Sequence, residues 1–426
     1  MTLEVEQVHR ERGLLLAIDS GREAWEESLE ELARLADTAG VEVVGTVTQR
    51  RHRPHPVYFV GKGKAKELRQ IRGDAGADVL LTDADLTPTQ QRNLEEAADV
   101  RVVDRTGLIL DIFAQRAQTR EGKVQVELAQ LTYLLPRLTG KGTELSRLGG
   151  GIGTRGPGET KLEVDRRRIR KRQGVLRKQV ERIGKRRSIE RRHRQEAGVP
   201  VAALVGYTNA GKSTLLNALA GAEVFVEDKL FATLDPTIRR VALTGGRELL
   251  LADTVGFISR LPHQLVAAFR ATLEEVTEAD VLVHVVDAAH PQREEQMTAA
   301  RRVLADLGCA DKETITAFNK FDLVADRTYL EERLAREAHG VAISARNGEG
   351  LEELLRLIGE RLEQSLIPVE LVVPWRAQGL VAEAHGRGRV LSEEFGEDGI
   401  ALNARVPDDV ARRLRRAAGV EEAPVE

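Results

Sequence analysis

The sequence predicts an α/β fold built around a mostly parallel, doubly wound sheet. Apolar runs of strand length alternate with stretches of helix length. The runs lie at residues 201–205, 238–243, 248–252, 281–287, 314–318 and 341–343. Residues 244–247 are few enough to form a hairpin, so one edge strand should be antiparallel. Because open sheets of this class bind ligands at the carboxyl ends of their strands, functional residues are expected where the runs end.

The first run leads directly into a glycine-rich loop with the pattern G-x-x-x-x-G-K-S. The loop consists of Gly206, Tyr207, Thr208, Asn209, Ala210, Gly211, Lys212 and Ser213. Between a strand and a helix, such a loop surrounds the phosphates of a nucleoside triphosphate with backbone N–H groups, at a helix N-terminus that favours anions. Lys212 would contact the β- and γ-phosphates, and the Ser213 hydroxyl would ligate Mg²⁺. The loop thus predicts a triphosphate site and leaves the base open.

The end of the run at 248–252 predicts the other side of the phosphate site. The run continues into the D-x-x-G sequence Asp253, Thr254, Val255 and Gly256. The Asp253 carboxylate would hold the hydration shell of Mg²⁺, and the Gly256 N–H would meet the γ-phosphate. This segment is therefore expected to respond to hydrolysis.

The last two runs predict that the base is guanine. The run at 314–318 is followed by the N-K-x-D sequence Asn319, Lys320, Phe321 and Asp322. The Asp322 carboxylate can accept hydrogen bonds from both the N1–H and the exocyclic amine of guanine, a donor pair that adenine lacks. The final run ends in Ser344, Ala345 and Arg346, where a backbone N–H can donate to the guanine carbonyl oxygen. In this order the motifs predict a Ras-like P-loop GTPase domain over residues 196–364 that binds GTP and GDP.

A threonine between the loop and Asp253 is expected to supply a second protein ligand to Mg²⁺ and to sense the γ-phosphate. Thr244 falls in the hairpin link, and spacing does not decide between Thr233 and Thr237. The segment containing Phe231, Ala232, Thr233, Leu234 and Asp235 resembles the switch of the HflX and Obg families. That resemblance implies Thr233, which gives Ser213 and Thr233 as metal ligands and Lys212, Thr233 and Gly256 as catalytic groups.

Two side chains at the phosphate site predict how hydrolysis is controlled. Phe257 follows Gly256, whereas Ras-like enzymes carry there a glutamine that orients the attacking water. Because a phenyl ring cannot hydrogen-bond water, unaided turnover should be slow and should depend on a partner or on another switch group. Asn209 is a candidate K⁺ ligand, since similar GTPases use an asparagine there to hold K⁺ beside the phosphates; alternatively it only stabilises the loop.

The segment from Lys161 to Glu196 predicts a basic arm. The chain has a formal net charge of −3, yet this segment holds 16 Lys and Arg against 5 Asp and Glu. Apolar residues recur there every seventh position, and residues 124–138 carry a second stripe with steps of four and three. Each stripe needs a partner helix, which predicts an antiparallel two-helix arm over residues 119–195. Nucleic acid is the natural polyanion for such an arm, although solvated basic helices are common.

A glycine-rich segment, residues 140–158, joins the two predicted helices. It contains eight glycines together with Lys141, Arg147 and Arg155. Because it has few side chains, it could lie close to an RNA backbone; a disordered tip and a second phosphate-binding loop are the alternatives.

The sequence G-G-G-I-G-T-R-G-P-G-E-T-K-L-E-V-D-R-R-R-I at 149–169 resembles the signature of the HflX family, and residues 56–64 resemble its N-terminal domain. The resemblance implies a ribosome-associated GTPase that binds the large subunit, acts in translation under stress and dissociates stalled ribosomes. A GTPase that acts in ribosome assembly or on tRNA is the alternative. An ATP-dependent enzyme that shares only the P-loop is disfavoured by Asp322.

The remaining segments predict two smaller α/β domains. Residues 1–118 contain strand-like runs at 14–18, 41–44, 57–60 and 79–81. Residues 365–426 contain strand-like runs at 369–373 and 399–403 and helix-like stretches at 377–385 and 408–418. No catalytic group is recognisable in either domain.

Composition predicts a cytoplasmic monomer without disulfides. The chain has one cysteine, Cys309, no apolar run of about 18 residues and no N-terminal signal pattern. Peripheral attachment to ribosomes or membranes stays open.

Overall fold

The computed structural model of the chain describes residues 10–21, 24–138, 161–197, 199–221, 230–231, 233–243, 247–258, 270–337, 339–364 and 366–420. These residues form two compact units. The first consists of the described residues up to Arg182 together with 230–231 and 233–234, and the second consists of the others. The glycine-rich segment 140–158, Ala232 and Thr244 lie outside the described residues.

The first unit contains a four-stranded parallel sheet. Its strands, in the order β2-β1-β3-β4, are β1 (Glu11–Asp19), β2 (Val41–Arg50), β3 (Val79–Thr82) and β4 (Arg101–Asp104). Its helices are α1 (Ala24–Thr38), α2 (Lys62–Ala75), α3 (Pro88–Ala98) and α4 (Arg105–Arg116). The central strands are buried and apolar, as parallel strands covered on both faces require. Thr87 begins α3 with a capping box, its hydroxyl accepting from Gln90 N–H.

The predicted strand at 57–60 is wrong. The chain there forms a turn in which the backbones of His55 and Phe59 exchange hydrogen bonds of 2.7 and 2.9 Å. Phe59 has a φ of 65°, and Phe59 and Val60 are buried in the core of the sheet. Two apolar residues therefore enter the core from a turn, while Val57 is exposed. Hydrophobicity alone cannot distinguish such a turn from a buried strand. The fourth strand is β4, which the sequence analysis missed.

The described parts of the arm confirm an antiparallel helix pair. Helix α5 (Arg120–Leu134) ends in a 3-10 turn at Leu135–Arg137, and helix α6 spans Lys161–Ala197. Arg172 Nε lies 2.6 Å from Glu127 Oε1, and Gln173 Nε2 donates to Thr132 Oγ1 over 3.2 Å. Arg166, which precedes Arg172 in α6, donates through NH2 to the carbonyl of Leu138, beyond the end of α5, over 3.3 Å. The two chains therefore run in opposite directions. Pro136 lies in the terminal 3-10 turn, where its missing N–H interrupts no α-helical bond.

The second unit contains the predicted doubly wound sheet. Its strands, in the order β10-β9-β8-β5-β7-β6, are β5 (Val201–Val205), β6 (Thr237–Ala242), β7 (Glu248–Asp253), β8 (Val281–Asp287), β9 (Thr314–Asn319) and β10 (Gly340–Ala342). Only β6 is antiparallel to its neighbour in this sheet. The helices are α7 (Lys212–Ala220), α8 (Arg270–Glu278), α9 (Arg293–Asp306), α10 (Arg327–Arg336) and α11 (Leu351–Gln364). The chain continues from β5 to β6 and β7 on one side and then to β8 on the other, which places the ligand crevice at the end of β5.

The second unit also contains a small antiparallel sheet with the order β11-β13-β12. Its elements are β11 (Ile367–Pro374), α12 (Gln378–Arg387), β12 (Arg389–Phe395), β13 (Gly399–Val406) and α13 (Asp408–Ala418). The sequence analysis missed β12, because this edge strand is almost fully exposed and rich in glutamate. Within the described residues, no helix is long and apolar enough to cross a membrane.

The carboxylate of Asp104, at the end of β4, joins several elements of the first unit. It is fully buried and accepts from Tyr133 OH at 2.8 Å and from the backbone N–H groups of Leu86 and Gly107 at 3.1 and 2.8 Å. Arg137 NH2 lies 3.0 Å from it. Together with burial, the carboxylate raises the pKa of Tyr133, which keeps the phenol a donor.

We expect Asp104→Ala to destabilise the first unit by about 3 kcal/mol or more, because it leaves a nearly buried guanidinium and several buried donors without their acceptor. Amide hydrogen exchange in β3 and β4 measures the effect as a loss of protection. Asp74→Ala, at an exposed position on α2, is the matched control and should leave protection unchanged. Equal protection in the two variants would contradict the role given to Asp104.

Candidate nucleotide-binding site

The glycine-rich loop follows β5 and is pressed against the ends of β8 and β9. Gly206 has a φ of +145°, and a Cβ there would lie 2.2 Å from the Val285 carbonyl oxygen. Gly211 has a φ of +94°, and a Cβ there would lie 2.2 Å from Asn319 Nδ2. No side chain fits at either position, so the two glycines are required by close approach as well as by backbone conformation. Asn209 also has a positive φ, 62°, which asparagine tolerates better than most residues.

Lys212 begins α7 and extends its side chain beneath the loop. Only 6% of the residue is exposed, and its ammonium donates to the carbonyl oxygens of Gly206 and Tyr207 over 3.1 and 2.9 Å. Burial lowers the pKa of Lys212 to about 8, while the nearby Asp253 carboxylate opposes that shift. The loop carbonyls thus hold the Lys212 ammonium in a place where the phosphate oxygens of a nucleotide can replace them as acceptors.

Ser213 and Asp253 already lie together. Ser213 Oγ donates to Asp253 Oδ2 over 2.6 Å, and Asp253 is 1% exposed. The next residue, Thr254, donates through its hydroxyl to the Leu204 carbonyl over 2.6 Å and so fixes the D-x-x-G segment to β5. A hydroxyl and a carboxylate are the oxygen donors that Mg²⁺ takes beside substrate phosphates. The residues present therefore fit this metal ion.

Gly256 and Phe257 lie on the loop. Phe257 N–H donates to the Gly206 carbonyl over 2.9 Å, and Thr208 N–H donates to the Phe257 carbonyl over 2.7 Å. A Cβ on Gly256 would lie 2.8 Å from Thr208 Cα and 3.1 Å from Lys212 Nζ. Val255 and the Phe257 ring are buried. The predicted γ-phosphate contacts Lys212 and Gly256 are thus close neighbours, and the ring of Phe257 serves packing.

Asn319 connects the phosphate side of the site to the base side. Its Nδ2 donates to the Ala210 carbonyl over 2.8 Å, and its Oδ1 accepts from Ala345 N–H over 2.9 Å. Only 2% of the residue is exposed. One buried amide therefore fixes the phosphate loop relative to the loop that is expected to contact guanine.

The other predicted base contacts surround Asn319. Lys320 has a φ of 61° and pairs with Asp287 over 2.7 Å. Asp322 lies in a 3-10 turn and is partly exposed, while Ser344 is buried and Arg346 is exposed. Phe321 N–H donates to the Ile343 carbonyl over 3.1 Å, which holds the two loops side by side. The sequence analysis missed Asp287, although its place at the carboxyl end of β8 is a signal for it.

The described residues of the predicted switch segment belong mainly to the first unit. Phe231 is buried and makes an edge-to-face contact with Phe113 of α4, with ring centroids 4.8 Å apart. Leu234 is buried, Thr233 is half-buried, and Asp235 belongs to the second unit. The roles of Phe231 as a nucleotide contact and of Thr233 as a metal ligand stay predictions.

The sequence matches four family models in succession. They are described as GTP-binding GTPase N-terminal over residues 26–114, GTP-binding GTPase Middle Region over 116–194, 50S ribosome-binding GTPase over 201–320 and HflX C-terminal domain over 329–426. Between them they cover most of the chain.

Curated proteins named GTPase HflX resemble the chain along nearly its whole length. The protein from Caldanaerobacter subterraneus subsp. tengcongensis is 49% identical over 95% of this chain and 93% of its own. The one from Escherichia coli is 46% identical over 91% of this chain and 92% of its own. A crystal structure of a GTP-binding protein from Sulfolobus solfataricus in complex with GDP is 25% identical, with a TM-score of 0.44 over 82% of this chain and 98% of that one.

We expect the affinity for GDP to fall as the pH rises through about 8. Below that pH Lys212 is protonated, and above it the free protein loses the charge that attracts phosphate. Bound phosphate raises the pKa of the lysine, so binding takes up a proton in this range and weakens with increasing pH. Titration with a fluorescent GDP analogue between about pH 7 and about pH 9 measures the effect.

Lys212→Arg is the matched control, because a guanidinium does not titrate in this range. Its affinity should be independent of pH even if it is weaker. If the wild type and this variant show the same pH dependence, Lys212 is not the titrating group.

Proposed function

Since the chain belongs to the HflX family of GTPases, we propose that it hydrolyses GTP while bound to the large ribosomal subunit and acts as a translation and stress-response factor that dissociates stalled ribosomes. The observation that carries the proposal is the basic helix α6. It carries a dense set of basic residues, several of them exposed, and it is followed in the chain by a complete set of GTPase motifs.

Helix α6 presents its cations to solvent. Ile169 and Leu176 are buried, whereas the following basic residues at each turn are exposed: Arg170, Lys171, Arg177 and Lys178. Like charges at this density repel one another unless a polyanion neutralises them. Phosphate contacts of this kind fix position and orientation, and folded RNA is recognised mostly by shape. The description 50S ribosome-binding GTPase, for the family model matched at 201–320, supports the same partner.

The site residues support GTP hydrolysis by placement of charge. The Lys212 ammonium and the N–H groups of the loop would hold the phosphates, and the Gly256 N–H would contact the γ-phosphate. Mg²⁺ ligated by Ser213 and Thr233, with its hydration shell held by Asp253, would supply charge neutralisation when bound. Because Phe257 offers no hydrogen bond to water, rapid turnover requires a contribution from elsewhere. We propose that the ribosome contributes to meeting that requirement, so that the hydrolysis rate depends on it.

We also propose that Asn209 holds K⁺ beside the phosphates. Replacing K⁺ by Na⁺ should then lower the GTP hydrolysis rate of the wild type by about tenfold, because a smaller cation fits the oxygen set less well. Asn209→Gly removes the side chain while accepting the positive φ, so its rate should be low and equal in the two salts. Equal rates for the wild type in K⁺ and Na⁺ would leave the asparagine a loop-stabilising role only.

Co-sedimentation with ribosomal subunits tests the main proposal. With a non-hydrolysable GTP analogue, the wild type should pellet with mature large subunits. A charge-reversal variant, R170E/K171E/R177E/K178E, should lose binding by about a hundredfold at physiological salt, since several phosphate contacts become repulsive. The control variant R302E/R416E, altered at exposed positions elsewhere, should bind as the wild type does.

The outcome also separates the alternatives. If the protein does not bind mature large subunits but binds precursor particles or tRNA, the result favours a role in ribosome assembly or tRNA metabolism over the proposed one. Equal binding by the two charge variants would show that α6 is not the RNA-contacting surface.

A further inference from the structure

Thr208, the third residue of the phosphate loop, has a buried hydroxyl without a partner. The residue is 6% exposed, and in the part of the chain that the structure describes its Oγ1 makes no hydrogen bond. Its backbone N–H, by contrast, donates to the Phe257 carbonyl over 2.7 Å. The unsatisfied group is therefore the side-chain oxygen alone.

An unpartnered buried hydroxyl is costly and uncommon. Two polar side chains beside it are satisfied, since Lys212 Nζ donates to two carbonyls and Asn319 makes two hydrogen bonds. Packing gives no reason for a hydroxyl here, because valine has nearly the same shape and carries no polar atom. We therefore expect the Thr208 hydroxyl to form its hydrogen bond with a molecule other than the described part of the protein.

The position of Thr208 indicates what that partner is. An ideal Cβ on Gly256 would lie 2.8 Å from both Cα and Cγ2 of Thr208 and 3.1 Å from Lys212 Nζ. Thr208 therefore touches the glycine whose N–H meets the γ-phosphate and lies close to the lysine that contacts the same group. Thr208 is therefore at the γ-phosphate end of the site.

We propose that the Thr208 hydroxyl hydrogen-bonds the water that attacks the γ-phosphate, a polar function that Phe257 cannot perform. In the step, the water oxygen bonds to the γ-phosphorus and the bond to the β–γ bridging oxygen breaks. That oxygen keeps the electron pair and leaves with GDP, while the water proton passes to the phosphate. The threonine orients the water and keeps its own proton. The proposal rests on GTP hydrolysis at this site and not on the ribosome.

Gly256 and Phe257 lie against Thr208 in this structure. Phe257 is hydrogen-bonded to the loop on both sides of Tyr207, and Gly256 approaches Cα and Cγ2 of Thr208. A γ-phosphate that attracts the Gly256 N–H shifts this segment and opens the hydroxyl to the attacking water. Orientation of the water is then coupled to the presence of the phosphate it attacks.

Two substitutions test the proposal. Thr208→Val removes the hydroxyl and keeps the shape, and Thr208→Ser keeps the hydroxyl and removes a methyl group. In single-turnover hydrolysis Thr208→Val should be slower by about tenfold or more, with affinities for fluorescent GTP and GDP analogues within about twofold of the wild type. Thr208→Ser should retain most of the rate.

A readout independent of turnover is the GDP–aluminium fluoride complex, which mimics the phosphate and its attacking water. Thr208→Val should bind aluminium fluoride about tenfold more weakly, with its GDP affinity unchanged. Normal hydrolysis by Thr208→Val overturns the proposal. Equal loss of GTP affinity, GDP affinity and rate in both variants overturns it as well and assigns Thr208 to loop architecture. Because these measurements contain no ribosomes, their failure is distinguishable from failure of ribosome binding.

Discussion

The buried amide of Asn319 is the interaction on which the geometry of the nucleotide site depends. One side of the amide holds the phosphate loop through Ala210, and the other holds the base loop through Ala345. The absence of a Cβ on Gly211 is what allows the amide to approach so closely. In a low-dielectric interior such doubly satisfied amides are worth more than exposed ones, and leaving either half unpaired is costly. The distance between phosphate and base contacts is thereby fixed before any nucleotide binds.

The D-x-x-G segment is held differently at its two ends, which suits a switch. At one end Thr254 is buried and bonded to the Leu204 carbonyl, so the segment starts from a rigid strand. At the other end Phe257 rests on the loop through two backbone hydrogen bonds and through its buried ring. A small number of contacts can be exchanged for contacts with a phosphate without disturbing the sheet. Because Thr254 is fixed to β5, a movement caused by a bound phosphate is confined to the few residues that follow it.

The first unit shows the same use of buried polar groups for a structural purpose. Asp104 gathers donors from α5, from the loop before α3 and from the start of α4. Phe231, in a segment that the sequence assigns to the GTP-responsive switch, packs on Phe113 of α4 in this unit. Phe231, a predicted nucleotide contact, thus also packs in the apolar interior of the first unit. The sequence motif alone gives no sign of that second role.

The sequence by itself determined the sheet of the second unit, its antiparallel edge strand and the helix pair, because hydrophobic periodicity and glycine-rich motifs are local signals. It placed Asp253 at the end of a strand and Lys212 and Ser213 at the start of a helix, as the structure has them, and the GTPase assignment followed. It failed for residues 57–60, where a turn fills a core, and for β12, where an edge strand is charged and exposed. Only the tertiary structure decided that Asn319 connects two loops and that Asp287 pairs with Lys320. These are contacts between residues far apart in the chain, and their geometry arises when strands that are distant in sequence end side by side.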